Sequence, residues 1–154
     1  MEKRLLLSLA CLLPLSAAAE LEISGAWIRA LPPTQPTTAA YLSIANTGPD
    51  TVLVTGAGSE IAGRVEIHTT REVDGLSRMQ QLEALELAPG ERLSLAPGGT
   101  HLMLMELERM PAPGETFELC LELAQSDRIC TEAEVRKSAG DNSGHHHHHH
   151  QHQE

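Results

Sequence analysis

The segment Phe117-Glu118-Leu119-Cys120-Leu121-Glu122-Leu123 decides the fold class. Its large apolar residues fall on every second position, with Glu118, Cys120 and Glu122 between them, which is the signature of a strand with one buried and one wetted face. On either side the chain is cut into short lengths by turn-forming residues: Asn46-Thr47-Gly48-Pro49, Asp74-Gly75, Pro89-Gly90, Pro97-Gly98-Gly99 and Pro113-Gly114. The pieces between them are too short for ordinary helices and suit strands. Many short, mainly antiparallel strands predict an all-β domain, a Greek-key β-sandwich or barrel. Its core is expected to be aliphatic, with Trp27, Tyr41 and Phe117 as its few large pieces.

The ends read differently. Residues 1–19 have the pattern of a secretory signal: Lys3 and Arg4, an apolar run from Leu5 to Leu15, then Ser16-Ala17-Ala18-Ala19. Cleavage after Ala19 is the preferred reading; acylation at Cys11, as in a lipoprotein, is the alternative, set against by the apolar sequence that continues past it. No later stretch is apolar for the length of a membrane span, so no stable membrane insertion is expected of the mature chain. Residues 20–136 form the folded domain in this reading. Residues 137–154 are poor in apolar side chains and carry His145 to His150 and His152, which predicts a disordered His-rich tail. A purification tag is one reading of that run; the residues Gln151-His152-Gln153-Glu154 beyond it favour a native tail, suited to Cu(II) and similar borderline metals.

Composition removes one class of partner. The 154 residues include 21 Asp and Glu against 11 Lys and Arg, and one each of Trp, Tyr and Phe. A net charge of -10 repels phosphate backbones, and three aromatics offer little surface for stacking bases, so no nucleic-acid binding is expected. With Cys11 removed in the signal, Cys120 and Cys130 remain as an even pair. A hairpin that sets them opposite one another allows a disulfide in an oxidising compartment; thiolate metal ligation is the alternative.

The remaining chemistry lies between residues 68 and 110. In Val65-Glu66-Ile67-His68 the apolar residues alternate away from the imidazole, which places His68 on the polar face. A two-residue Asp74-Gly75 loop pairs Val73 with Leu76, Thr70 with Met79 and His68 with Gln81, making His68 and Met79 diagonal neighbours on one face. In His101-Leu102-Met103-Leu104-Met105 the same period puts His101, Met103 and Met105 on one face. A single Met on a strand is ordinarily core filler, but two imidazoles and two thioethers on paired strands make a soft, neutral donor set that favours Cu(I) over Zn(II), Mg(II) or Ca(II).

The spacing H-X10-M-X21-H-X-M, filled by His68, Met79, His101 and Met103, resembles that of the PCuAC family of periplasmic copper chaperones. The similarity extends to Gly25-Ala26-Trp27-Ile28-Arg29, Ala39-Ala40-Tyr41-Leu42 and Leu95-Ala96-Pro97-Gly98-Gly99-Thr100. It implies a cupredoxin-like β-sandwich or barrel that carries one exposed Cu(I) in the periplasm; a monomer is expected. It further implies delivery to the CuA site of cytochrome c oxidase or to Sco-type copper proteins, and a second, Cu(II) site in a His-rich tail. Many members have a Met soon after the first His; here Thr69 and Thr70 follow it, which turns attention to Met105 or Met110 as an auxiliary sulfur. The rival readings are an envelope copper buffer without a dedicated acceptor and a β-sandwich binding module in which these residues are incidental. An enzyme is not expected: neither cysteine is followed by the histidine a blue-copper centre needs, and neither H-E-x-x-H nor G-x-S-x-G occurs.

Overall fold

In the computed structural model, residues 21–124 and 128–140 are described. Ten strands make up the fold: β1 (Leu21–Arg29), β2 (Thr38–Asn46), β3 (Val52–Ser59), β4 (Ala62–Val73), β5 (Leu76–Leu82), β6 (Leu85–Leu87), β7 (Arg92–Leu95), β8 (Thr100–Leu107), β9 (Thr116–Leu123) and β10 (Ile129–Arg136). No helix occurs among the described residues. The signal-like residues 1–19, and the His-rich tail from residue 141 onward, lie outside the described residues.

Seven strands close into a barrel in the order β4-β8-β2-β1-β10-β9-β3, with β3 pairing back to β4. The other three add at its margins: β5 beside β4, β6 beside β3 and β7 beside β2. The expected antiparallel pairing holds throughout except at β1 and β10, which run parallel with Trp27 opposite Glu134 and Ile28 opposite Val135. Closure therefore joins the first strand to the last, and both are ladder-bonded on two sides.

Alternation fills the interior as the Phe117–Leu123 pattern implies. Leu119 and Leu121 are buried inward while Glu118 and Glu122 face solvent. Ile28, Val54, Leu102, Leu104 and Ala133 are fully buried with them. Each such Leu or Ile contributes roughly 1.5–3 kcal/mol by leaving water. Cys120, on the outward face of β9, is opposite Cys130 of β10, and the two are disulfide-bonded with Cα atoms 4.0 Å apart.

The aromatic residues are placed less centrally than the aliphatic ones. Trp27 and Tyr41 are buried, but they stand apart from the contiguous aliphatic cluster, and Phe117 only packs against its margin. A bulge in β1 between Ser24 and Trp27, with Gly25 at φ 62°, accounts for Trp27. An added residue reverses which positions face inward, so Ile28 enters the core and the indole turns to the outer face. There it meets Tyr41 across the β1–β2 pair, ring centroids 4.5 Å apart.

Candidate metal centre

The outer face of β5-β4-β8-β2 gathers the residues singled out in the sequence. Asp74 and Gly75 take φ of 54° and 74°, the positive values a tight two-residue hairpin needs, and set the β4–β5 register as expected: Val73 opposite Leu76, Thr70 opposite Met79, His68 opposite Gln81. On the other side of β4, His68 pairs directly with His101 of β8 and Glu66 with Met103. Leu102 and Leu104 fill the core between these positions, which forces His101 and Met103 outward together. One strand spacing thus separates His68 of β4 from β5, which carries Met79, on one side and from β8, which carries His101 and Met103, on the other.

Each imidazole has its tautomer fixed by what it touches. His101 Nδ1 lies 3.0 Å from the Gly99 carbonyl oxygen, which only accepts, so Nδ1 carries the proton and Nε2 keeps its lone pair. The Pro97-Gly98-Gly99 turn positions that oxygen: Gly98 has φ 83°, Gly99 N–H donates to Ala96 O at 3.0 Å, and Thr70 N–H of β4 donates to Gly99 O at 3.2 Å. One carbonyl therefore ties the imidazole to the neighbouring strand. His68 Nε2 is 2.8 Å from Glu66 Oε2, and the other oxygen of that carboxylate is 3.3 Å from Arg64 Nε. An ionised carboxylate accepts, so Nε2–H donates and Nδ1 holds the lone pair. That Nδ1 is buried and has no hydrogen-bond partner among the described residues.

A buried acceptor without a partner costs about 1–3 kcal/mol. A cation bound there removes that cost. The carboxylate behind the distal nitrogen is the arrangement that orients metal-binding imidazoles and raises their basicity. Glu66 was quoted in the sequence only as part of a strand; its place two residues before His68, on the same face, is the signal that could have revealed its role.

Met79, His101 and Met103 line one opening of about 260 Å³, together with Tyr41, Gly98 and Thr70. His68 is outside this wall but next to it, its ring centroid 6.1 Å from that of His101. Tyr41 supports His101 from the other side at 6.4 Å, and Trp27 supports Tyr41. His101 is 5% exposed while Met79 is 55% exposed, so the donor set runs from a packed strand to an open one. All four donors are neutral, which suits a soft monovalent cation better than a hard divalent one.

Of the two auxiliary sulfurs considered, Met105 continues the outer face of β8 opposite Arg64, two steps beyond Met103. Met110 instead lines a separate cavity with Pro32, Pro33 and Pro111. Thr69 points inward and Thr70 lines the opening, so the positions after His68 bring no sulfur to it. Thiolate ligation by Cys120 and Cys130 is overturned, because the disulfide consumes both sulfurs; Glu118 beside them completes no metal site.

Known structures share this architecture. The copper-bound PCuAC domain from PmoF2 superposes with a TM-score of 0.65, 22% identity, and coverage of 79% of this chain and 97% of that one. The solution structure of the Cu(I) form of DR1885 from Deinococcus radiodurans superposes with a TM-score of 0.60 at 32% identity, covering 73% of this chain and 76% of that one. The fold is accordingly the cupredoxin-like barrel of PCuAC domains. In sequence, a Leifsonia xyli subsp. xyli protein named "Putative lipoprotein Lxx21020" is 30% identical over 125 residues, 80% of this chain and 74% of its own length. With residues 21–135 also matching the model described as "Putative lipoprotein LpqE-like", the chain belongs to the LpqE-like family.

Proposed function

We propose that the protein is a copper chaperone outside the cytoplasm, binding one Cu(I) through His68, Met79, His101 and Met103 and passing it to an acceptor. The observation that carries this reading is the unpartnered, buried Nδ1 of His68 beside His101, whose Nδ1–H is committed to Gly99. Two imidazole lone pairs are thereby left for a cation on the face that also carries two thioethers. The 32% identical relative whose structure is titled as its Cu(I) form supports the choice of metal.

The work is ligand exchange, not bond-making catalysis. Neutral thioethers hold Cu(I) less tenaciously than thiolates do, so transfer to a thiolate site runs downhill. The CuA site of cytochrome c oxidase and Sco-type thiol proteins are acceptors of that kind, and we assign delivery to them on the resemblance to PCuAC chaperones. The disulfide and the signal-like start support an oxidising compartment, the periplasm in the simplest case. The lipoprotein names of the relatives give the Cys11 reading added weight, and with it a membrane-tethered carrier. The His-rich tail would add a Cu(II) site to the same chain.

Titration with Cu(I) in competition with a chromophoric chelator tests the site on protein ending at Gly140. One equivalent is expected to bind, and Met79→Ala with Met103→Ala is expected to weaken it. Unchanged affinity in that double variant would refute the assignment. Mixing the loaded protein with an apo CuA domain and following its chromophore tests the acceptor.

A further inference from the structure

The β4–β5 ribbon carries a surface that copper binding does not use. Arg71 and Arg78 are directly opposite each other across it, and the next pair toward the turn is Val73 with Leu76. Alternation puts these four side chains on one face and sends Glu72, with Met79, to the other. Val73 is 43% and Leu76 61% exposed. Neither guanidinium has a carboxylate in ion-pairing range among the described residues. Like charges directly opposite on a strand pair are destabilising. Glu72 and Asp74 lie in the same stretch, Glu72 on the opposite face and Asp74 in the turn, so the two guanidiniums beside Val73 and Leu76 make one face of the ribbon cationic and apolar in a chain of net charge -10.

We infer that the tip of the β4–β5 ribbon is the docking surface for the copper acceptor, and that the acceptor meets it with carboxylates beside its thiols. This rests on the copper-carrier reading above. A carboxylate bridging Arg71 and Arg78 converts a repulsive pair into an attractive one, and Val73 and Leu76 gain a dry contact. The patch is small, which suits a short-lived complex for handing over cargo rather than a permanent one. Two arginines are fewer than the clusters of about four to eight cations that hold proteins to anionic bilayers, which favours a protein over a lipid surface. Among the described residues β5 has no strand on its outer side, so an acceptor gripping the ribbon reaches Met79 around a single strand, about 4.8 Å across. An entering thiol gives its proton to water and binds as thiolate while the Met79 thioether leaves; copper stays Cu(I).

Two dithiol peptides with the same Cys-x-x-Cys, one flanked by Asp and Glu and one by Asn and Gln, serve as acceptors for the copper-loaded full chain. At low ionic strength the acidic peptide is expected to be loaded about tenfold faster than the neutral one. The advantage is expected to vanish in high salt and in Arg71→Gln with Arg78→Gln, whose Cu(I) affinity and melting temperature remain at or above the parent's. Equal loading of both peptides by the parent would overturn the docking surface and leave the carrier reading standing. Failure of the parent to bind Cu(I) overturns both. Sedimentation with phosphatidylglycerol vesicles that depends on the two arginines, without a peptide preference, would transfer the surface to the membrane and overturn the protein acceptor.

Discussion

β5 and β8 flank the same strand and each brings a methionine to the same opening, yet they are built to opposite specifications. β8 is laddered on both sides, to β4 and β2, and buries Leu102 and Leu104 completely beneath His101 and Met103. Among the described residues β5 is laddered on one side only, and all of its own residues before Leu82 are exposed. A carrier has to hold and to release. In the proposed carrier, Met103 on a doubly laddered strand would serve holding and Met79 on the exposed ribbon would serve release.

The contrast makes stability the first way to break it. Leu102→Ala is expected to cost about 2–5 kcal/mol in chemical denaturation, whereas Leu76→Ala stays within about 0.5 kcal/mol of the parent. Comparable losses at the two positions would mean that the ribbon is part of the core unit. The next effect is on copper. Glu66→Gln keeps the shape of the group that orients His68 but removes its charge, and Cu(I) affinity measured by chelator competition is expected to fall about 10- to 100-fold with little change in melting temperature. An unchanged affinity would remove Glu66 from the centre and leave the orphaned Nδ1 without its explanation.

Hydrogen exchange sharpens the comparison further. Without copper, the β5 amides are expected to exchange through local opening far faster than those of β8, and Cu(I) is expected to protect β5 selectively, because ligand bound to the closed state adds to its stability. Uniform protection in both strands would contradict a releasable Met79. The smallest effect lies in the loop after β8. There Glu115 accepts two hydrogen bonds from Arg109, at 2.7 and 2.8 Å, and one from Ala112 N–H. The Arg109 hydrogen bonds foremost, then that of Ala112, hold its carboxyl down to about 2 from the usual 4.5. The sign follows: a depressed folded-state value stabilises above pH 4.5, and the contribution is lost as pH falls toward 2. NMR titration of Glu115 is expected to show that low midpoint and its rise in Arg109→Gln; an ordinary midpoint in the parent would mean the clamp does not form in solution.

Much of the site was legible because its determinants are local. Period-two alternation placed His68, His101 and Met103 on outward faces, and Asp74-Gly75 fixed the β4–β5 register residue by residue, since a two-residue turn leaves no slack. The Cys120–Cys130 pairing was legible for the same reason. Trp27 is buried as expected, but its place outside the aliphatic cluster was not legible, because a single bulge, marked only by Gly25, reverses the face of everything after it. Glu66 was overlooked because its importance depends on the tautomer of a neighbour, which sequence does not display.

By itself, then, the sequence determined the strands, the hairpin that carries Met79, and the shared outward direction of the candidate donors His68, Met79, His101 and Met103. Only the tertiary structure decided that β8 lies beside β4, so that His68 and His101 meet across 33 positions of chain, and that β1 closes against β10 in parallel. Turn chemistry and alternation act over a few residues. Which strands become neighbours is settled by the whole barrel burying its aliphatic faces at once, and it is that pairing which brings two His–Met pairs to a single face.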